Sequence, residues 1–146
     1  MIVNTVITYR KLMSLVLESF KFNFFINGFT GKNTKIKNND KDLEVEISDN
    51  SILNSVKFYS NSIDDTQWQL FWKEIDKQGV WEWLDFYFDS TIDHDVPQWE
   101  LIIEKGNVTK NVWGCNYYPN NFEIFIKLLN KIAKTSISNE DYKLEL

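Results

Sequence analysis

Nine aromatic side chains fall within residues 64–104, and three of them fix a local shape. Trp68, Phe71 and Trp72, with Ile75, recur at i, i+3, i+4 and i+7. That is one apolar stripe of an α-helix and no pattern for a strand. Ser62 and Asp64 are candidate N-caps. Asp64 and Asp65 occupy the first turn and Lys77 the last, as the helix dipole favours, and Gly79 suits the C-terminal stop. A helix with so heavy a stripe needs a sheet or another helix to cover it.

The segments around it supply a sheet. Within 19–28, Phe20, Phe22, Phe24 and Ile26 alternate with Lys21 and Asn23, the mark of a half-buried strand. Leu43, Val45 and Ile47 alternate with Glu44, Glu46 and Ser48 in a second strand. Val56 and Phe58 alternate with Lys57 and Tyr59 in a third, whose dry face is expected to hold Val56 and Phe58. Residues 32–41, with four lysines, read as a solvated, mobile loop. Beyond the helix, 81–88 is a dense aromatic segment, either a short helix or an extended piece, and 89–97 is an acidic loop. Trp99, Leu101 and Ile103 mark a fourth strand, Gly106-Asn107 a hairpin turn, and 108–114 a fifth strand. A last helix opens at Pro119 or Asn120 with the stripe Phe122, Phe125, Ile126 and Leu129. The tail after Thr135 reads as polar and frayed.

The expected fold is therefore α+β: an antiparallel sheet of about five strands in the order βββαββα, with both helices on one face. At 146 residues one domain is expected, with 1–18 and 136–146 at its periphery.

Two segments carry a resemblance. The first reads W-x-x-F-W-x-x-I-x-x-x-G-V-W-x-W from Trp68 to Trp83. The second joins D-x-x-Q-W, beginning at Asp95, to G-x-N-x-Y-P-x-x-F, carried by Gly114, Asn116, Tyr118, Pro119 and Phe122. Together they resemble a group of small bacterial proteins of unknown function with a W-x-W, a D-G-x-Q-W strand start and a G-x-N-A-Y-P-x-x-F helix entry. The similarity covers roughly 20–132. Val96 stands where that pattern has glycine, and Tyr117 where it has a small residue. The resemblance implies a fold and transfers no activity.

Charge narrows the function classes. The net charge is -5, against the basic face that a general nucleic-acid binder needs. Residues 64–104 hold eleven carboxylates and only two lysines, an acidic rim that repels nucleic acid and attracts basic partners. By contrast 105–134 carries five lysines against Glu123. The apolar run 12–17 is too short for a signal-peptide core, and nothing approaches the roughly 20 apolar residues of a membrane helix, so a cytoplasmic protein with no membrane partner is expected. One cysteine, Cys115, cannot form an intramolecular disulfide, and one histidine, His94, excludes a two-histidine zinc motif. No cofactor or metal is expected; phosphate-loop, dinucleotide and serine-elbow patterns are absent.

The candidate binding residues are Trp81, Glu82, Trp83 and Asp85, followed by Asp89, Asp93, His94 and Asp95. Asp93-His94-Asp95 has groups that could hold a cation or move a proton, although such a triplet is also the composition of a solvated acidic turn. Glu82 and Asp85 beside two tryptophans could form a carboxylate pair in an aromatic cleft, or the wet side of a segment whose indoles are core. Cys115 reads as a buried or half-buried cysteine at a strand end. The lysines at 32, 35, 37 and 41 could touch phosphate, with a solvated loop as the plainer expectation.

The favoured function is a non-enzymatic protein-binding module, of the immunity or inhibitor type, masking a basic partner such as a nuclease toxin. The alternatives are a small-ligand or hydrolytic site in an acidic aromatic cleft, and a structural accessory domain whose tryptophans are core.

Overall fold

The computed structural model describes residues 18–28, 30–51, 53, 55–88 and 98–143. Among the described residues the fold is α+β, a mixed sheet of seven strands with three helices. The strands are β1 (Phe20–Asn27), β2 (Lys32–Asn39), β3 (Asp42–Asp49), β4 (Ser55–Asn61), β5 (Phe86–Phe88), β6 (Trp99–Lys105) and β7 (Val108–Cys115). The helices are α1 (Asp65–Lys77), α2 (Phe122–Ala133) and the single turn α3 (Asn139–Tyr142), with a 3-10 turn at Val80–Glu82. The sheet order is β4-β3-β2-β1-β6-β7-β5; all pairings are antiparallel except β5 with β7, which is parallel.

Five antiparallel strands and the order βββαββα understate this sheet in two places. The lysine-rich stretch expected to be a loop is β2, paired on both sides and burying Thr34 and Ile36. Only one of its residues is strongly apolar, so its strand character comes from neighbours on both sides that satisfy its backbone groups. Asp40, at φ 54°, and Lys41 close its hairpin with β3. The second addition is β5, three residues from the aromatic segment, which follows the 3-10 turn at Val80–Glu82.

Helix α1 forms where its stripe places it. Asp64 caps it: its carboxylate accepts from the Gln67 N–H (2.8 Å), and the Gln67 side chain accepts from the Asp64 N–H (2.9 Å). Gly79 follows in the left-handed region at φ 68°. Phe22 meets Phe71 of α1, and Phe24 meets Phe125 of α2, edge to face at 5.4 and 5.5 Å. Phe22 and Phe24 point to the same face of β1, so both helices cover one face of the sheet. The core lies between the layers, with Trp68, Trp72, Trp99, Phe24 and Leu101 essentially inaccessible.

Strand β4 has the reverse of its expected orientation. Tyr59 lies opposite Val45 on the covered face and donates its hydroxyl to the Lys134 carbonyl (2.8 Å). Asn61 donates to the Ala133 carbonyl beside it (2.7 Å). Val56 and Phe58 consequently face outward, 64% and 63% exposed. Both faces of this strand carry apolar residues, so alternation alone does not set its side; the carbonyls at the end of α2 do.

The tail also departs from expectation. Ile137 and Tyr142 are buried, and Gln98, itself buried, donates to the Tyr142 carbonyl (2.8 Å). The Gln98 side-chain oxygen accepts from the Asn116 N–H (2.9 Å) and the Tyr118 hydroxyl (2.8 Å). Burial pushes the Tyr142 phenol up to about 12 and raises that of Tyr118 as well.

Candidate functional site

The four described candidates, Trp81, Glu82, Trp83 and Asp85, do not all meet at one place. Trp83 is buried, with its ring edge-on to Phe125 and its indole N–H donating to the Asn121 side-chain oxygen (2.9 Å). It holds the segment after α1 against α2 and is a core residue. Trp81 is half-buried, stacks on Trp72 at 6.0 Å and donates to Asp76 Oδ1 (2.8 Å). Glu82 and Asp85 are exposed, and Asp85 pairs with Lys110 Nζ at 3.0 Å. Trp81 and Asp85 line a shallow hollow of about 600 Å³ with Thr109, Lys110, Asn111 and Trp113; Glu82 and Trp83 do not. Asp89, Asp93, His94 and Asp95 lie outside the described residues. Among the described residues no group of three His, Cys, Asp or Glu side chains could hold a metal ion. Cys115 is buried at the end of β7.

The feature that most resembles a contact surface is on the other side of the sheet, which no described helix covers. The strand registers align one residue from every strand into a single transverse row: Phe58, Glu46, Lys35, Phe25, Glu100, Trp113 and Phe86, running from β4 to β5. Four of these seven are aromatic. At about 4.8 Å per strand the row spans roughly 29 Å. Phe58 and Phe86 stand at its ends, 63% and 58% exposed, while Phe25, Glu100 and Trp113 are half-buried in its middle.

The row is ordered by its own contacts. Trp113 and Phe86 stack at 5.7 Å. Lys35 reaches over the Phe25 ring, its Nζ 5.9 Å from the centroid. Opposite charges face one another across strands at Lys35 and Glu46, at Lys37 and Glu44, where the ion pair measures 3.8 Å, and at Lys21 and Glu104. Such cross-strand pairs contribute roughly 0.2–1 kcal/mol each. Between β1 and β4 the face hollows into a groove of about 420 Å³, walled by Phe25, Glu100 and Phe58, with Lys35, Lys37, Glu44 and Glu46 among its lining.

Sequence reasoning passed over this row. Phe25 interrupts the alternation of β1 directly after Phe24, and Trp113 follows the buried Val112, so each sits on the face that a one-sided strand keeps polar. That mismatch was the available signal. Phe58 was placed on the wrong face with its strand.

No known protein-family model matches this chain, and no curated protein sequence matches it at a significant level.

Proposed function

We propose that the protein is a non-enzymatic protein-binding module whose contact surface is the sheet face that no described helix covers. The observation that carries this is the transverse row of four aromatics interleaved with charges. Large aromatics left in water across a broad open surface are anchors for a macromolecular partner. A row of roughly 29 Å also suits an interface of ordinary protein–protein size. The net charge of -5 favours a basic partner, because opposite charge accelerates encounter. An immunity- or inhibitor-type protein that masks a basic toxin, such as a nuclease, fits these properties.

The test is capture of a partner from the source lysate at low and high salt, with the native chain and with a Phe58→Ser/Phe86→Ser double variant. A single basic protein is expected, retained by the native chain at low salt and lost both at high salt and with the double variant. Retention by the double variant at native strength would overturn the assignment of the surface.

The hollow beside Asp85 favours a second reading, a small-ligand site. Two half-buried indoles, Trp81 and Trp113, line it together with the Asp85–Lys110 ion pair. Its test is titration with neutral oligosaccharides while the Trp81 and Trp113 indole N–H resonances are followed; no shift at millimolar sugar would remove it.

A further inference from the structure

We infer that Glu100, standing between Phe25 and Trp113, is the seat for an arginine side chain of the partner protein. This rests on the proposal that the open sheet face is the protein-contact surface.

The first observation is a charge left over. Across the middle of the face the carboxylates of Glu44, Glu46 and Glu104 each have a lysine directly opposite on a neighbouring strand. Glu100 does not. Its two cross-strand neighbours are Phe25 on β1 and Trp113 on β7. Among the described residues it makes no ion pair. It is half-buried in the groove wall, where the effective dielectric is lower than in water and a matching cation gains more.

The second observation is the disposition of the flanking rings. Trp113 has one face stacked on Phe86, which lies on the side away from Glu100. Phe25 receives Lys35 from β2, also on the side away from Glu100. Both contacts come from strands on the far side of each ring's own strand, so neither partner comes from the β6 strand that carries Glu100. An acid with an aromatic residue on each neighbouring strand matches a guanidinium closely. That group is planar, stacks on aromatic rings, and offers a fork of N–H donors to both oxygens of a carboxylate. An ammonium can meet the carboxylate but cannot lie flat between rings. Phe25 and Trp113 are two strand spacings apart, about 9.6 Å between backbones, with Glu100 on the strand between them.

The occupant is a protein side chain and not a free small cation, because the seat is flanked on both sides by exposed apolar anchors. Phe58 lies across the groove and Phe86 beyond Trp113. An arginine projecting from a basic surface would enter Glu100 while the surface around it covered those rings.

The experiment uses the full chain and three blocked peptides: tetra-arginine, tetra-lysine and tetra-citrulline. Binding is followed by amide and indole NMR shifts. Tetra-arginine is expected to move the Trp113 indole N–H and the amides of Phe25 and Glu100. Tetra-lysine should bind several-fold more weakly, and tetra-citrulline, which keeps the shape and lacks the charge, should not bind. Glu100→Gln should weaken tetra-arginine about tenfold with the rest of the spectrum unchanged. Trp113→Leu should remove the preference for arginine over lysine. Equal binding of the two cationic peptides, shifts that miss the central row, or affinity unchanged by Glu100→Gln would each overturn the seat.

Capture of the partner separates this from failure of the surface itself. A partner that survives Glu100→Gln but is lost with Phe58→Ser/Phe86→Ser keeps the open face and dismisses the arginine seat. A partner that survives both variants dismisses the face.

Discussion

The indole of Trp99 lies against the backbone of Gly114, its cross-strand neighbour, so closely that a Cβ added to Gly114 would stand 2.2 Å from Trp99 Nε1. Trp99 is fully buried, touches Trp83 and Phe122, and donates its indole N–H to the Tyr117 carbonyl (3.1 Å). It cannot withdraw. Gly114→Ala should therefore destabilise the protein by about 3 kcal/mol, at the upper end of overpacking costs. Urea unfolding checks this, and a cost under about 1 kcal/mol would show that the indole moves more freely than its packing implies.

Phe24 and Phe25 are adjacent in sequence and opposite in role. Phe24 is fully buried beneath both Phe122 and Phe125, so Phe24→Ala should cost about 3–5 kcal/mol. Phe25 faces outward, and Phe25→Ser should cost about 1 kcal/mol or less while weakening partner capture. Thermal unfolding of the two variants side by side reads the contrast directly.

The Asp64 cap makes a smaller and cleaner prediction. Asp64→Ala removes an acceptor for the Gln67 N–H and half of a reciprocal pair, and should cost about 1 kcal/mol. Asp64→Asn should restore most of it, which a mere loss of charge at the helix start would not allow.

High pH should unfold the protein through its buried phenols. In the folded state Tyr142 is raised from 10.0 to about 12 by burial, and Tyr118 is raised too. As pH climbs through 10 the unfolded chain gives up these protons while the folded chain keeps them. Folding thus binds protons there, and stability falls with rising pH between about 10 and 12. The urea midpoint should drop across that window, and Tyr142→Phe should flatten the drop even though it loses the hydroxyl's bond to Asn139 Oδ1 (2.6 Å).

Two indoles on α1 differ in one respect that can be measured. Trp68 donates to the Lys41 carbonyl (2.7 Å), whereas Trp72 Nε1 is buried with no hydrogen-bond partner among the described residues. Trp68→Phe leaves that carbonyl without its donor; Trp72→Phe removes a polar atom that is not used. The first should be more costly by about 1 kcal/mol in denaturant unfolding.

How far the sequence spoke depends on how lopsided each element is. Helix α1 was legible because Trp68, Phe71, Trp72 and Ile75 fill one side and Asp64 marks the start. β1, β3 and β6 were legible because each has one face far more apolar than the other, and β7 because the Gly106-Asn107 turn leads into it. β2 was not, since only Ile36 is strongly apolar and the four lysines and three asparagines of 32–41 read as a solvated loop. β4 was turned over because Phe58, the more hydrophobic ring, suggests the dry face, whereas the carbonyl that selects Tyr59 belongs to Lys134, far along the chain. The tail was missed for the same reason: Tyr142 is held through Gln98, forty-four positions earlier. Of the candidate site only Trp81, Glu82, Trp83 and Asp85 are described, and these divide between core and surface. Trp83 and Trp113 are the same residue type, and only the topology decides that one is core and the other borders the open face.

That open face is also a gauge of alignment. The seven residues of its row come from seven strands, and each strand contributes one by virtue of six registers holding at once. Because side chains alternate, a slip of one position in any pairing sends that strand's contribution through to the other side. The two-residue corners at Asp40-Lys41 and Gly106-Asn107 keep β3 and β7 in step with their neighbours. Lengthening either corner by one residue would leave every aromatic of the row in the chain and abolish the row.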